Sequence, residues 1–246
     1  MAKKKVLLFI VEGPTDETSL STVLGRIFSS ETVRFQVVHG DILTKDFITP
    51  DKIVSAVNEQ IKAFRGSIYK TSDICKVIHL ADMDGAYIPD SAIVEDNSQS
   101  DDSYPYYTDT QILTPTPQSI IDRNLRKRKC INKLTGTGSI SGIPYSLYYF
   151  SSNLDHTLYG QRNLTDWEKV ELAEQFDLQY GENPDAFIAF MKGSSFAVRG
   201  SYHDTWAFIK ADLHSLERFS NFGTCLPEIE EKAQSDLFKL GTLGVN

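Results

Sequence analysis

The chain has 246 residues, 41% of them hydrophobic and 24% charged, with a formal net charge of −8. That length holds one large α/β domain, or one domain with a sizeable insertion or helical appendage. The acidic balance argues against a protein that merely coats nucleic acid, because such proteins are usually basic. It leaves room for an enzyme that binds metal with carboxylates and touches polynucleotide through a local basic patch.

The segment Lys5 to Val11 (KVLLFIV) is continuously apolar, as a parallel strand covered on both faces is. It ends at once in Glu12-Gly13, too short for a secretory core. No stretch approaches the roughly 20 apolar residues of a membrane span, so a cytoplasmic protein with no membrane contact is expected. Asp16 to Phe28 has helical spacing, with Leu20, Val23, Leu24 and Ile27 on one face and Thr15 or Asp16 as cap. Val33 to Val38 reads as a second strand. Pro50 to Phe64 reads as a second helix with the stripe Ile53, Val57, Ile61 and Phe64. Lys76 to Ala81 reads as a third strand that ends in Asp82-Met83-Asp84-Gly85. This β-α-β-α-β alternation predicts a doubly wound, mostly parallel sheet.

A fourth strand is expected at Ser146 to Phe150. The span before it is too long for a structureless connection and reads as an insertion. Its first part, residues 95–107, is acidic, polar and expected to be mobile. Its second part, Gln118 to Leu134, reads as a basic helix carrying Arg123, Arg126, Lys127, Arg128, Lys129 and Lys133. The expected organisation is a core begun by residues 1–88, an insertion over 89–143, and completion of the core with C-terminal helices over 144–246. Helices are expected at Thr165 to Phe176, Pro184 to Met191, Thr205 to Phe219 and Pro227 to Leu240. Cys75, Cys130 and Cys225 are odd in number and widely spaced, which gives neither a zinc motif nor a disulfide framework.

The chemistry-bearing residues cluster at predicted strand ends. Glu12 follows the first strand, where open α/β sheets place their ligand sites. Gly13 is expected to let the backbone turn there. Asp16 sits in the first helical turn, where a carboxylate is favoured. Asp82 and Asp84 are two apart in an extended chain and so point the same way. In a doubly wound order the first and third strands are commonly neighbours, which would bring Glu12 to Asp82 and Asp84. Carboxylates so clustered repel one another unless a cation lies between them, and Mg²⁺ or Mn²⁺ suits oxygen ligands. Asp155, after the fourth strand, is a candidate ligand for a second metal ion. Lys192, Arg199 and Lys210 are further candidate cations near a transferring phosphoryl group. The plainer readings are a strand-end glutamate, a capping aspartate, a polar turn at 82–85 and a solvated basic helix face. His79 reads as a core histidine.

The stretch KVLLFIVEGPTDETSL, followed after two elements by KVIHLADMDG, resembles the Toprim domain of topoisomerases, primases and OLD-like nucleases, over about residues 5 to 90. The resemblance implies a Rossmann-like parallel sheet. It implies Glu12 as general acid/base or metal ligand, Asp82 and Asp84 as Mg²⁺ ligands, and Asp16 as the further acidic position of the nuclease-like members. The chain lacks room for a topoisomerase cleavage domain and has no primase zinc module. What remains resembles the small stand-alone Toprim nucleases, some of which are anti-phage defence effectors that act beside an ATPase. No GxxxxGK[ST] loop occurs here, so that ATPase would be a separate protein. The implied activity is Mg²⁺-dependent endonuclease hydrolysis of DNA or RNA, tRNA included, in a defence or toxin-like role. Arg123, Arg126, Lys127 and Lys129 would contact nucleic acid, and a homodimer would enlarge that basic surface. Two alternatives stay open: a non-catalytic Toprim-fold module that binds a partner protein or nucleic acid, and a phosphatase or nucleotidyl transferase using the same ion.

Overall fold

The computed structural model describes residues 4–45, 47–98 and 105–228. Its centre is a five-stranded sheet in the order β2 (Thr32–Val37), β1 (Val6–Val11), β3 (Ile74–Asp82), β8 (Ile143–Phe150), β7 (Ser139–Ile140). The first four strands run parallel, and β7 pairs antiparallel to β8 at the edge. Helices α1 (Pro14–Ile27) and α2 (Ile53–Arg65) join the first three strands.

The alternation of side chains along β1 explains the layering. Val6, Leu8 and Ile10 face one way and pack with Ile53, Val57 and Ile61 of α2. Leu7, Phe9 and Val11 face the other way and pack with Leu20, Val23 and Leu24 of α1. All six β1 residues are buried, which is why the strand reads as an unbroken apolar run. Full burial of a side chain such as Phe9 stabilises by roughly 1.5–3 kcal/mol.

The chain between Asp82 and Ile143 makes the long connection from β3 to β8 that a parallel pair requires. The connection has two parts. One is a small sheet in the order β4 (Ile93–Glu95), β6 (Ile112–Thr114), β5 (Tyr106–Tyr107). The other is α3 (Pro117–Thr135), whose Cys130, Ile131 and Leu134 enter the same core as α2. Sequence periodicity finds α3 but not these short strands, of two or three residues each.

After β8 come α4 (Leu154–Tyr159), α5 (Asp166–Tyr180), α6 (Pro184–Gly193) and α7 (Tyr202–Phe208). α5 and α6 cover the α1 face through Phe176, Phe187 and Met191. The helix expected over 205–219 is the shorter α7. Asp212 adopts φ +47, a left-handed conformation that no α-helix continues through, and residues 209–219 form turns instead. The expected helix at 227–240 lies outside the described residues beyond Glu228. Among the described residues, no helix is long and apolar enough to cross a membrane.

Candidate functional site

Four parallel strands deliver their carboxyl ends to one edge of the sheet. Glu12 directly follows β1, and its carboxylate accepts a hydrogen bond from the Asp82 backbone N–H at 3.1 Å, across 70 positions of sequence. The chain leaving β2 stays beside β1, because Val38 N–H donates to Val11 O and Gly40 N–H to Glu12 O, both at 3.0 Å. That path carries Asp41 to the same edge. Asp82 ends β3, and its Oδ1 accepts from Leu154 N–H at 2.9 Å. The structure therefore brings Glu12, Asp41, Asp82 and Asp84 into one electrostatic neighbourhood. Asp41 has no part in the sequence-derived set. It follows β2 on the edge where Glu12 follows β1, a positional signal present in the order His39-Gly40-Asp41.

Asp84 occupies the left-handed region at φ +49, and Ser152 opposite it does so at φ +57. Such backbone persists only where neighbours hold it. Asp84 N–H donates to Ser152 O at 2.7 Å, while Ser152 N–H and Gly85 N–H both donate to Ser215 O at 3.0 Å. The Ser215 hydroxyl accepts from Tyr87 N–H at 2.9 Å. The glycine that this turn needs is Gly85. It has φ +67, and a Cβ there would meet Ile112 Cδ1 at 2.9 Å. Gly13, expected to serve the turn after β1, sits in ordinary extended backbone at φ −127.

The cation in this neighbourhood is a side chain. Lys127 projects from α3 with no solvent exposure, and its Nζ lies 2.8 Å from Asp41 Oδ2 and 2.5 Å from Asp84 Oδ2. It shares the buried face of α3 with Ile120, Asn124, Cys130, Ile131 and Leu134, at helical spacing. Beside it, Arg123 donates to the Asp84 carbonyl at 2.8 Å and to the Tyr107 hydroxyl at 3.0 Å. Burial opposes the Lys127 charge, but Asp41, Asp84 and Glu12 outweigh it and raise its pKa above the usual lysine value. Burial also pushes the Asp84 carboxyl up, yet Lys127 and Arg123 prevail and hold it below the ordinary carboxylate value.

Glu12 and Asp82 are in the opposite condition. Burial raises the Glu12 carboxyl well above its ordinary value, and Asp41 and Asp84 add to the shift. Burial raises Asp82 in the same sense, joined by Glu12, Asp16 and Asp84. In both cases Lys127 pulls the value down without cancelling the rise. Asp16 accepts from Gly13 N–H at 2.9 Å, and burial, with Asp155 adding, brings its carboxyl to about 6. Asp155 is buried on α4, 3.8 Å from Lys169, and its Oδ1 has no hydrogen-bond partner. Its carboxyl too is pushed up by burial.

The expected nucleic-acid residues of α3 divide. Lys129 is exposed and Arg126 half-buried, but Arg123 and Lys127 turn inward to the Asp84 loop. Lys127 therefore does not lie on a basic surface; it is a counter-ion beneath one. Lys192 and Arg199 line a cavity of about 460 Å³ that none of these carboxylates borders. Lys210 donates to Asn132 at 2.8 Å. His79 lies in the sheet core, where its Nδ1 meets the Tyr145 hydroxyl at 2.8 Å.

Among the described residues, no three Asp, Glu, His or Cys side chains gather closely enough to ligate one ion. The donor chemistry nevertheless suits a hard divalent cation, since every candidate donor is a carboxylate oxygen. Glu12 and Asp82 are each held by a single backbone N–H and short of counter-charge, as carboxylates that fit such an ion are. Comparison with family models, curated proteins and solved structures returns no match. The site's own geometry is thus what bears on function.

Proposed function

We propose that this chain is a Mg²⁺- or Mn²⁺-dependent nuclease of the Toprim type, hydrolysing phosphodiester bonds in DNA or RNA. One observation carries the reading: Glu12 and Asp82 meet at the strand edge and stay under-compensated although Lys127 lies beside them. Glu12, Asp82 and Asp84 would hold the ion, which when bound polarises a phosphate oxygen and lowers the pKa of a water. Asp155, near Asp16, is the candidate for a second ion. Asp16, at about 6, is matched to proton transfer near neutral pH. The exposed Lys129 would meet a phosphate backbone. The sequence resemblance extends the reading to a defence or toxin-like effector with a separate ATPase partner.

The test is cleavage of single-stranded DNA, duplex DNA and tRNA by the full chain with Mg²⁺ or Mn²⁺. Glu12→Ala and Asp82→Ala are each expected to lower the rate by at least about 100-fold, the scale of losing a charged transition-state group. Cleavage that survives both changes overturns the proposal. Hydrolysis of small phosphoesters alone would redirect it to a phosphatase.

A second reading has its own support. Lys127 already joins Asp41 to Asp84, which is what a non-catalytic module with a permanently neutralised edge would need. Such a module binds a polynucleotide or partner protein without cutting it, and the same assay separates the two.

A further inference from the structure

We propose that the exposed ridges of α5 and α3 are two halves of one contact, through which copies of this chain join head to tail. The inference does not rest on the metal-binding reading above, and either can fail without the other.

Helix α5 has two apolar sides. Ala173 and Phe176 are buried, with Phe176 in the core beneath the helix. On the other side, Trp167, Val170 and Leu178 are 71%, 48% and 84% exposed. At 3.6 residues per turn, Trp167, Glu171, Glu174 and Leu178 lie along one line of the helix, with Val170 beside it. The outer side of a surface helix is ordinarily polar, so an apolar stripe anchored by a tryptophan marks a contact surface. The stripe is set in negative charge, because α5 has five acidic residues against one lysine. Helix α3 has the opposite character, with six basic residues against one acid, Asp122. Arg123 and Lys127 turn inward. Leu125, 44% exposed, centres an outer ridge that carries Arg128, Lys129 and Lys133. The two ridges belong to opposite faces of the sheet, since α5 packs with α1 and α3 enters the core of α2. One molecule therefore cannot join its own ridges. Two α5 ridges brought together would set Glu171 and Glu174 against their own copies, and two α3 ridges would do the same with Lys129 and Lys133. Like charges juxtaposed in this way are unfavourable. The favourable pairing is α5 of one copy on α3 of the next, which buries the apolar groups of both ridges and matches their charges. A contact between unlike surfaces leaves one ridge free at each end, so it extends past two copies as a ring or a filament. With one helix from each copy at its centre, the contact is at the small end of specific interfaces, which makes it weak and sensitive to salt.

Sedimentation velocity of the full-length protein, from about 1 to about 200 μM at low salt, tests this without metal or substrate. The wild-type chain is expected to form species larger than a dimer as its concentration rises, and to lose them at about 1 M salt. Trp167→Glu breaks the α5 ridge and Lys129→Glu breaks the α3 ridge. Both positions are exposed, and circular dichroism checks that each variant folds. Each variant alone is expected to associate at least about tenfold more weakly than wild type. Mixed in equal amounts, the two are expected to form a 1:1 dimer that grows no further, because the intact α5 of the Lys129→Glu copy still fits the intact α3 of the Trp167→Glu copy. A wild-type chain that stays monomeric throughout overturns the proposal. So does self-association that Trp167→Glu abolishes and Lys129→Glu leaves intact, which would place some surface other than α3 on the α5 ridge. A mixture of the two variants that stays monomeric overturns the head-to-tail arrangement.

Discussion

The acidic edge has two halves that solve one electrostatic problem differently. On the Asp41–Asp84 side, a buried ammonium completes the ion pair, and the Asp84 carboxyl is held low. On the Glu12–Asp82 side, backbone N–H groups are the hydrogen-bond donors and both carboxyls are driven up. The difference teaches that the fold supplies its own charge to one half and leaves the other half dependent on protons or an added ion. This edge is paired only in part.

The comparison breaks most forcefully at Lys127. Lys127→Met leaves Asp41 and Asp84 unpaired, and in metal-free buffer it is expected to lower unfolding free energy by about 3–5 kcal/mol. Urea denaturation measures this, and the Asp41→Asn/Lys127→Met pair should recover part of the loss. The next effect lies in the sheet core, where burial, reinforced by Lys127, lowers the His79 pKa from 6.5 to about 3. The unfolded chain then binds the proton first, so stability is complete above about 6.5 and falls as pH drops toward 3. His79→Gln should flatten that acid-side decline by about 4 kcal/mol. Asp16 has the opposite sign. Its carboxyl rises from 3.8 to about 6, so the folded chain holds the proton longer and stability is lost as pH climbs through that window. Asp16→Asn, whose amide oxygen can still accept from Gly13 N–H, should remove a decline of about 2 kcal/mol between pH 4 and 6. The smallest effect belongs to the exposed Lys129. Lys129→Ala is expected to change stability by less than about 0.5 kcal/mol, while weakening polynucleotide binding measured by fluorescence anisotropy at low salt.

How much of this was legible beforehand follows from the kind of signal each feature leaves. Strands β1 and β3 announce themselves because burial on both faces demands unbroken apolar runs, and Glu12 and Asp82 are visible as the residues that end them. The short strands β4 to β6 leave no period to read. Lys127 was visible as a charge but not as an inward one. Its place three residues after Asn124 and three before Cys130 puts it on the buried stripe, but composition grouped it with the neighbouring cations. Asp41 is hard to read because the strand that precedes it, β2, is a half-buried edge with a weak apolar signature. The turns at 209–219 were hidden because an apolar helical spacing continues through Asp212, and only the backbone angle shows that the helix does not.

The carbonyl of Ser215 receives the N–H groups of both Gly85 and Ser152. A ribosome makes the sheet's strands well before it reaches residue 215, so the nascent protein can form its central layers while the Asp84 and Ser152 loops still lack their common tether. Assembly of the acidic edge is thereby deferred to a late moment of synthesis.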